Sequence, residues 1–319
     1  MPDQSRIRVP VLLGPTACGK TAVAVRLAAH LGLDVISCDS RQVYRNMDIG
    51  TAKPEAEQLR AAKHWLIDIV DPSEYYSAFG FARDAGALIR TLHEQGRAAL
   101  VCGGTGFYFR CLSEGLGPQG PADAALRERY YKKVEQQGSE SIFGELEALD
   151  PQYAGRIHPS DARRVVRALE IYHTTGIAVS DLKQHTRPPE DFEFRIVALT
   201  LPRAELYRRI NDRVTGMARR GLWDEFQGLR DRGFNEESPG MLCVGYHELF
   251  DVEKGEASLP DALEKVKRNT RRYAKKQLTW LRHQLPASAR FMEPGGYEGI
   301  RSEFERFLAG APSAASDQS

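Results

Sequence analysis

Apolar residues are gathered in short runs that alternate with longer stretches of helical period over the first third of the chain. Runs at residues 9–13, 34–38, 64–70 and 98–102 read as buried strands, and residues 19–31 and 77–94 carry helix-spaced apolar positions. Strand and helix in strict alternation predict βαβ units around a parallel sheet. From Gly115 the pattern changes. GLGPQGP (115–121) is a cluster of breakers, residues up to 176 are charged and helix-patterned, and Pro188-Pro189 marks another break. Residues 194–201 read as one more strand, followed by helical patterns over 202–232 and 259–283 and a last helix over 297–308. The expected fold is α/β: a parallel sheet core flanked by helices (1–115 and 191–308), a helical insertion domain (116–190), and a small, polar, disordered tail (309–319).

The first strand-to-helix junction reads Gly14-Pro15-Thr16-Ala17-Cys18-Gly19-Lys20-Thr21, which fits GxxxxGK(S/T) in the setting that pattern requires. In such a loop backbone N–H groups converge on phosphate oxygens and the following helix adds its positive end. Lys20 supplies a charge, and the Thr21 hydroxyl suits Mg²⁺. A phosphorylated substrate follows, but not the reaction, because kinases, NTPases and other transferases share this loop.

Two further segments leave strand ends in the same layer. Asp39-Ser40-Arg41-Gln42 follows the second strand, where a carboxylate can meet a substrate or its metal, or can simply cap a turn. Gly103-Gly104-Thr105-Gly106 follows the last strand of the first block and suits either close ligand approach or a plain chain reversal. His64, at the head of the third run, reads as a structural histidine.

Composition changes this picture little. The 319 residues carry 44 basic and 43 acidic side chains, so the overall balance favours neither nucleic acid nor membrane. The five cysteines form no CxxC pair or metal spacing, as expected of reduced thiols, and no run approaches the length of a membrane span or a signal peptide. A soluble, cytoplasmic monomer is expected. Local charge is more telling. Residues 265–282 hold eight basic side chains and no acid, with Leu263, Val266, Tyr273, Leu278 and Leu281 near helical period, so one face packs and the rest suits a phosphodiester backbone. Tyr273 and Trp280 default to core packing. Arg163 and Arg167 share another helical face beside Val165, Val166 and Leu169. Together these features indicate chemistry on nucleic acid with a diphosphate or triphosphate donor, or a small-molecule kinase, or an RNA binder with an unused loop.

GPTACGKT (14–21), DSRQVYRNMDIGTAKP (39–54), GGTGFY (103–108), DARRVVRALEIYHTTG (161–176), CVGYHEL (243–249) and TRRYAKKQLTWLR (270–282) together resemble the tRNA dimethylallyltransferases, also called tRNA isopentenyltransferases. The likeness covers nearly the whole chain, with Cys18 where Ser is common, Cys38 where Ala is common, and no zinc-finger extension, which points to the bacterial form. It implies a P-loop kinase-like core and transfer of a dimethylallyl group from dimethylallyl diphosphate to N6 of the adenosine 3′ to the anticodon. The P-loop (Gly14 to Thr21) would bind the diphosphate, with Thr21 on Mg²⁺. Asp39 would be the general base, Arg213 would lie near the diphosphate, and Thr105 would line the channel. Contacts to the tRNA anticodon stem-loop would come from Asp39, Ser40, Arg41, Gln42, Thr105 and Arg127, and from Arg163, Arg164, Val165, Val166 and Arg167. Leu242, Cys243, Val244, Gly245, Tyr246 and His247 would form a third patch. Lys275, Lys276, Gln277, Leu278, Thr279, Trp280, Leu281 and Arg282 would complete the surface.

Overall fold

A computed structural model describes residues 6–115, 117 and 123–310. The elements follow in the order β1 (Ile7–Leu13), α1 (Lys20–Leu31), β2 (Leu33–Cys38), α2 (Ala56–Ala61), β3 (His64–Trp65), α3 (Ala78–Glu94), β4 (Ala98–Gly103) and α4 (Gly106–Glu114). After these come α5 (Ala124–Gln137), α6 (Glu140–Leu149), α7 (Pro151–Ala154), α8 (Ala162–Thr175), β5 (Phe192–Leu199), α9 (Arg203–Arg219) and α10 (Leu222–Asp231). The chain closes with α11 (Phe250–Glu253), α12 (Leu259–Gln284), β6 (Arg290–Met292) and α13 (Tyr297–Ala309).

Among the described residues the strands make one parallel sheet in the order β3-β2-β4-β1-β5-β6. Leu12, Val35, Leu100 and Val197 pack into a core with α1, α9 and α13. Their neighbours Val11, Ile36 and Val101 point the other way, because side chains alternate along a strand, and are also fully buried. Both faces are therefore covered, as a parallel sheet requires. The register sets the level of the strand ends. Leu13 and Cys38 both pair with Gly103, so the loops after β1, β2 and β4 emerge side by side at the carboxyl edge. Among the described residues no helix is long and apolar enough to cross a membrane.

Several expected boundaries shift. The run at 64–70 forms only the two-residue β3, because Leu66 and Asp68 take positive φ (60° and 58°) and break the extended backbone; Val70 then makes an isolated bridge with Tyr44. The pattern over 202–232 divides into α9 and α10 at Gly221, whose φ of 90° ends the first helix. β6 was not legible as a strand. Ala309 remains in the last helix and Gly310 caps it, while the rest of the expected tail, and all of GLGPQGP except Gly115 and Gly117, lie outside the described residues.

The chain divides into two compact units, Met1–Arg110 with Glu190–Ser319, and Cys111–Pro189. The division falls within α4 rather than at the breaker cluster. The smaller unit packs α5, α6, α7 and α8 around Tyr130, Ile142, Leu146, Val165, Val166 and Leu169. Its buried anchor is Glu170, whose carboxylate accepts from Arg127 Nε (2.8 Å), Arg167 (2.5 Å) and the Asp123 backbone N–H (3.1 Å). Burial pushes the Glu170 carboxyl up, but these hydrogen bonds outweigh it and leave the group below its ordinary value. Such a group contributes stability above the unfolded-state value that is lost as the pH falls through the folded-state one. Glu170→Gln should therefore cost about 2 kcal/mol at neutral pH, the worth of a hydrogen bond to a charged group. Urea unfolding followed by far-UV circular dichroism checks this, and the gap should narrow as the pH falls below about 4.3.

Candidate active site

After Leu13 the chain must reverse before entering α1, and it does so with Ala17 and Gly19 at positive φ (64° and 100°). A side chain at Gly14 would lie 2.8 Å from Cys18 Sγ and 3.0 Å from the Leu199 carbonyl oxygen, so the first turn closes only with glycine. Helix α1 then starts with no side-chain cap and no acid in its first turn, whereas α3, α5 and α8 are capped by Ser77, Asp123 and Asp161. Its first N–H groups thus face the loop's concave side.

Polar side chains from the loop itself and from distant segments brace it. Lys20 Nζ donates to Pro15 O (2.7 Å), the Thr16 N–H donates to Gln277 Oε1 (2.9 Å), and Arg213 donates to the Thr16 hydroxyl (3.3 Å). Burial lowers the Arg213 pKa, and among the described residues neither Arg213 nor Lys20 makes an ion pair. Two cations beside uncapped backbone amides, with no carboxylate on either, constitute a site for an anion of high charge.

Asp39 emerges one strand spacing from the β4 exit. Its Oδ1 accepts from the backbone N–H of Arg41 (2.8 Å) and Gln42 (3.4 Å), a turn that locks one carboxylate oxygen and orients the group into the cleft. The turn-capping and the functional reading of Asp39 are thus compatible. Thr105 laces the two exits together: its N–H donates to Cys38 O (3.2 Å) and its hydroxyl accepts from the Ser40 N–H (3.0 Å). Gly103 permits this closeness, since a Cβ there would lie 2.0 Å from Cys38 O.

The loops enclose a cavity of about 220 Å³ whose lining includes Thr16, Lys20, Thr21, Asp39, Arg41 and Gln42 together with Arg213, Cys243, Tyr273 and Gln277. All of these belong to the larger unit. Of the expected RNA-contacting residues, Ser40, Arg41, Gln42, Leu242, Val244 and Gly245 lie at or beside this cleft. Lys275, Lys276, Thr279 and Arg282 are exposed on α12. Trp280 is half-buried over Gly106, where a Cβ would come within 2.2 Å of its ring, and Leu278 is half-buried against the sheet core. In the smaller unit Arg163 and Arg164 are exposed, and Arg127 and Arg167 are tied to Glu170.

Other expectations need correction. Val165, Val166 and Leu281 are core side chains because they fall on the inward stripe of their helices, and Tyr246 is buried where its loop packs on Gly50, so no RNA group can meet those side chains. Cys243 lines the cleft but is almost wholly buried, and that burial pushes its thiol up to about 12. Gln277 is an internal bridge: besides accepting from Thr16, its Nε2 donates to Gly104 O (2.8 Å). A polar residue at an inward position of a helix is the signal that could have revealed it. Tyr273, assigned to the core by periodicity, instead enters the cleft with 39% of its surface exposed; burial of its hydroxyl and the charge of Asp39 push its pKa up to about 12. His64 also lines the cavity. Its Nδ1 donates to Ala62 O (2.8 Å) and burial lowers its pKa, which leaves a neutral ring with Nε2 as acceptor.

The model of the family described as IPP transferase matches residues 42–284, and that described as Isopentenyl transferase matches residues 7–71. The chain belongs to the IPP transferase family. It is 43% identical over 302 residues to the tRNA dimethylallyltransferase of Thermomicrobium roseum, covering 94% of this chain and 91% of the relative. It is 42% identical over 305 residues to that of Geobacillus kaustophilus, covering 95% and 96%. Among solved structures, the tRNA isopentenylpyrophosphate transferase of Bacillus halodurans superposes with a TM-score of 0.70 at 38% identity, covering 96% of this chain and 98% of that one. A eukaryotic dimethylallyltransferase captured acting on tRNA gives a TM-score of 0.82 at 26% identity, with 96% and 80% covered.

The cleft's thiols supply a check on its packing. Burial pushes Cys102, like Cys243, up to about 12. Iodoacetamide at pH 8 should therefore leave both unmodified in the native protein and label them only after denaturation, as read by peptide mass spectrometry.

Proposed function

We propose that this member of the family transfers the dimethylallyl group of dimethylallyl diphosphate to N6 of the adenosine 3′-adjacent to the anticodon in tRNA, releasing diphosphate, in the cytoplasm. The observation that carries this reading is a cleft lined by Lys20 of the P-loop and Arg213 of α9, neither of which makes an ion pair among the described residues, and by the oriented carboxylate of Asp39. As the carbon–oxygen bond of the donor breaks, negative charge grows on the departing diphosphate, which Lys20, Arg213 and the loop N–H groups stabilise. The N6 lone pair forms the new bond to the allylic carbon. That amine is a weak nucleophile because its lone pair is delocalised into the ring, so Asp39 takes the N6 proton as the bond forms.

Magnesium belongs to the proposal. Thr21 lies in the first turn of α1 and lines the cleft, offering the kind of hard hydroxyl ligand Mg²⁺ takes alongside phosphate oxygens and water, so the residues fit the ion. Bound there, it would neutralise charge on the leaving diphosphate.

A base inside an RNA loop must leave its stack to enter such a cleft, at a cost of a few kcal/mol that contacts to neighbouring nucleotides offset. The exposed Lys275, Lys276 and Arg282, which make no ion pair among the described residues, suit the flanking backbone. Thr105, through Ser40, holds the wall nearest Asp39, and Arg163 and Arg164 offer further cations.

Incubation with labelled dimethylallyl diphosphate, Mg²⁺ and an unmodified anticodon stem-loop should place label in the RNA. ATP-dependent phosphorylation of a small acceptor with no label in RNA would instead establish the kinase. Asp39→Asn keeps the turn-forming oxygen and removes the base, so turnover should fall about 10² to 10⁴-fold while RNA affinity holds. Near-normal turnover would remove Asp39 from the mechanism. Reversing the charge of Lys275, Lys276 and Arg282 together should weaken RNA binding about tenfold or more and flatten its salt dependence. Filter binding across a salt series reads both.

A further inference from the structure

Beyond the groups that face the substrates, one carboxylate gathers the cleft's two irregular walls. Residues 48–50 turn so that three successive N–H groups converge, and the point of convergence holds Glu225 of α10. Oε2 accepts from Asp48 (2.9 Å) and Ile49 (2.8 Å), and Oε1 accepts from Gly50 (3.0 Å) and from the Tyr246 hydroxyl (2.5 Å). Consecutive amides aimed at one spot form an anion nest, and here the protein fills it with its own side chain. The Gly50 N–H also lies 3.2 Å from the Tyr246 hydroxyl oxygen, which makes the cluster continuous.

Tyr246 is fully buried, and burial together with Glu225 raises its pKa well above the ordinary value, so it stays a phenol and a donor. A Cβ on Gly50 would lie 2.4 Å from the Tyr246 ring, so the two loops meet only because Gly50 lacks a side chain. Directly beyond these contacts, Gly50, Thr51 and Ala52 line the cavity from one loop and Cys243, Val244 and Gly245 from the other. Neither stretch belongs to a strand or α-helix that would hold it through backbone pairing. Lys53 closes the base of the first loop, donating to Tyr44 O (2.7 Å) and to Asp48 Oδ1 (2.6 Å) rather than to the second loop. Apart from the Gly50–Tyr246 hydrogen bond, the polar link between the loops runs through Glu225.

We propose that Glu225 is a positioning residue for the prenyl transfer: by binding the amides of residues 48–50 and the hydroxyl of Tyr246 at once, its carboxylate sets the spacing of the two loops that wall the reaction cleft. This rests on reading that cleft as the place of transfer. Misplacement of a wall by an ångström is enough to cost a large factor in rate without any loss of chemical groups.

Glu225→Gln tests it, because the amide exchanges one acceptor oxygen for an NH₂ group that faces other donors. Hydrogen exchange should speed up about tenfold or more at residues 48–50 and 245–247 while β1 and β4 keep their protection. kcat/KM for label transfer should drop about tenfold or more with the melting temperature within about 5 °C of wild type. Tyr246→Phe, which removes one donor and keeps the ring, should move both readouts in the same direction by a smaller factor, and it serves if the first variant does not fold. Unchanged exchange at 48–50, faster exchange throughout the sheet to the same degree, or transfer within threefold of wild type despite local loosening would each overturn the assignment. If the wild-type protein transfers no label, the proposed function fails, and the exchange arm still reports on the anchor.

Discussion

Pairing of Leu13 and Cys38 with the same residue, Gly103, is the constraint on which the cleft depends. Parallel strands about 4.8 Å apart, ending level, place a phosphate-binding turn, a carboxylate and a glycine-rich exit within one ligand's reach. Shift β2 by one residue, and Asp39 would move by about 3.3 Å and its side chain would change faces. Gly103 makes the level ending physically possible, because any side chain there would occupy the space of the Cys38 carbonyl. Geometry that looks like catalytic design is thus first a matter of sheet register.

On that platform, polar side chains rather than apolar packing fix the loops. Gln277 joins the P-loop to the β4 exit, Thr105 joins that exit to the segment after Asp39, and Glu225 joins residues 48–50 to Tyr246. Each brace satisfies backbone groups that irregular structure would otherwise leave unpaired, which is why so much of the cleft's polar inventory is internal. The cations Lys20 and Arg213 are the exception. Their charges are left without acidic partners, and the local field favours a polyanion.

Long α12 shows how one element divides its faces. At helical spacing Ala274, Gln277 and Leu281 turn inward, Tyr273 enters the cleft, and Lys275, Lys276 and Arg282 face outward. A single rigid rod of about 39 Å thereby carries a brace for the phosphate loop and a basic surface a few ångströms apart. The smaller unit uses a different arrangement, with Glu170 holding Arg127 and Arg167, which leaves Arg163 and Arg164 as its outward cations in that helix.

By itself, the order of residues determined the α/β class, the strand-to-helix placement of the P-loop, the candidacy of Asp39 and the basic face of α12. Each of these is written in local spacing: apolar runs for buried strands, glycines for a tight turn, and charge period along a helix. Tertiary structure alone decided which polar residues act on each other across 175 or 261 positions, as Glu225 does with Gly50 and Gln277 with Thr16. It also decided that Tyr273 belongs to the cleft while Val165, Val166 and Tyr246 belong to cores, and that the third strand stops where Leu66 turns to positive φ. The reason is physical: periodicity reports which side of an element is apolar, whereas a hydrogen bond between distant loops depends on how the sheet brings their ends together.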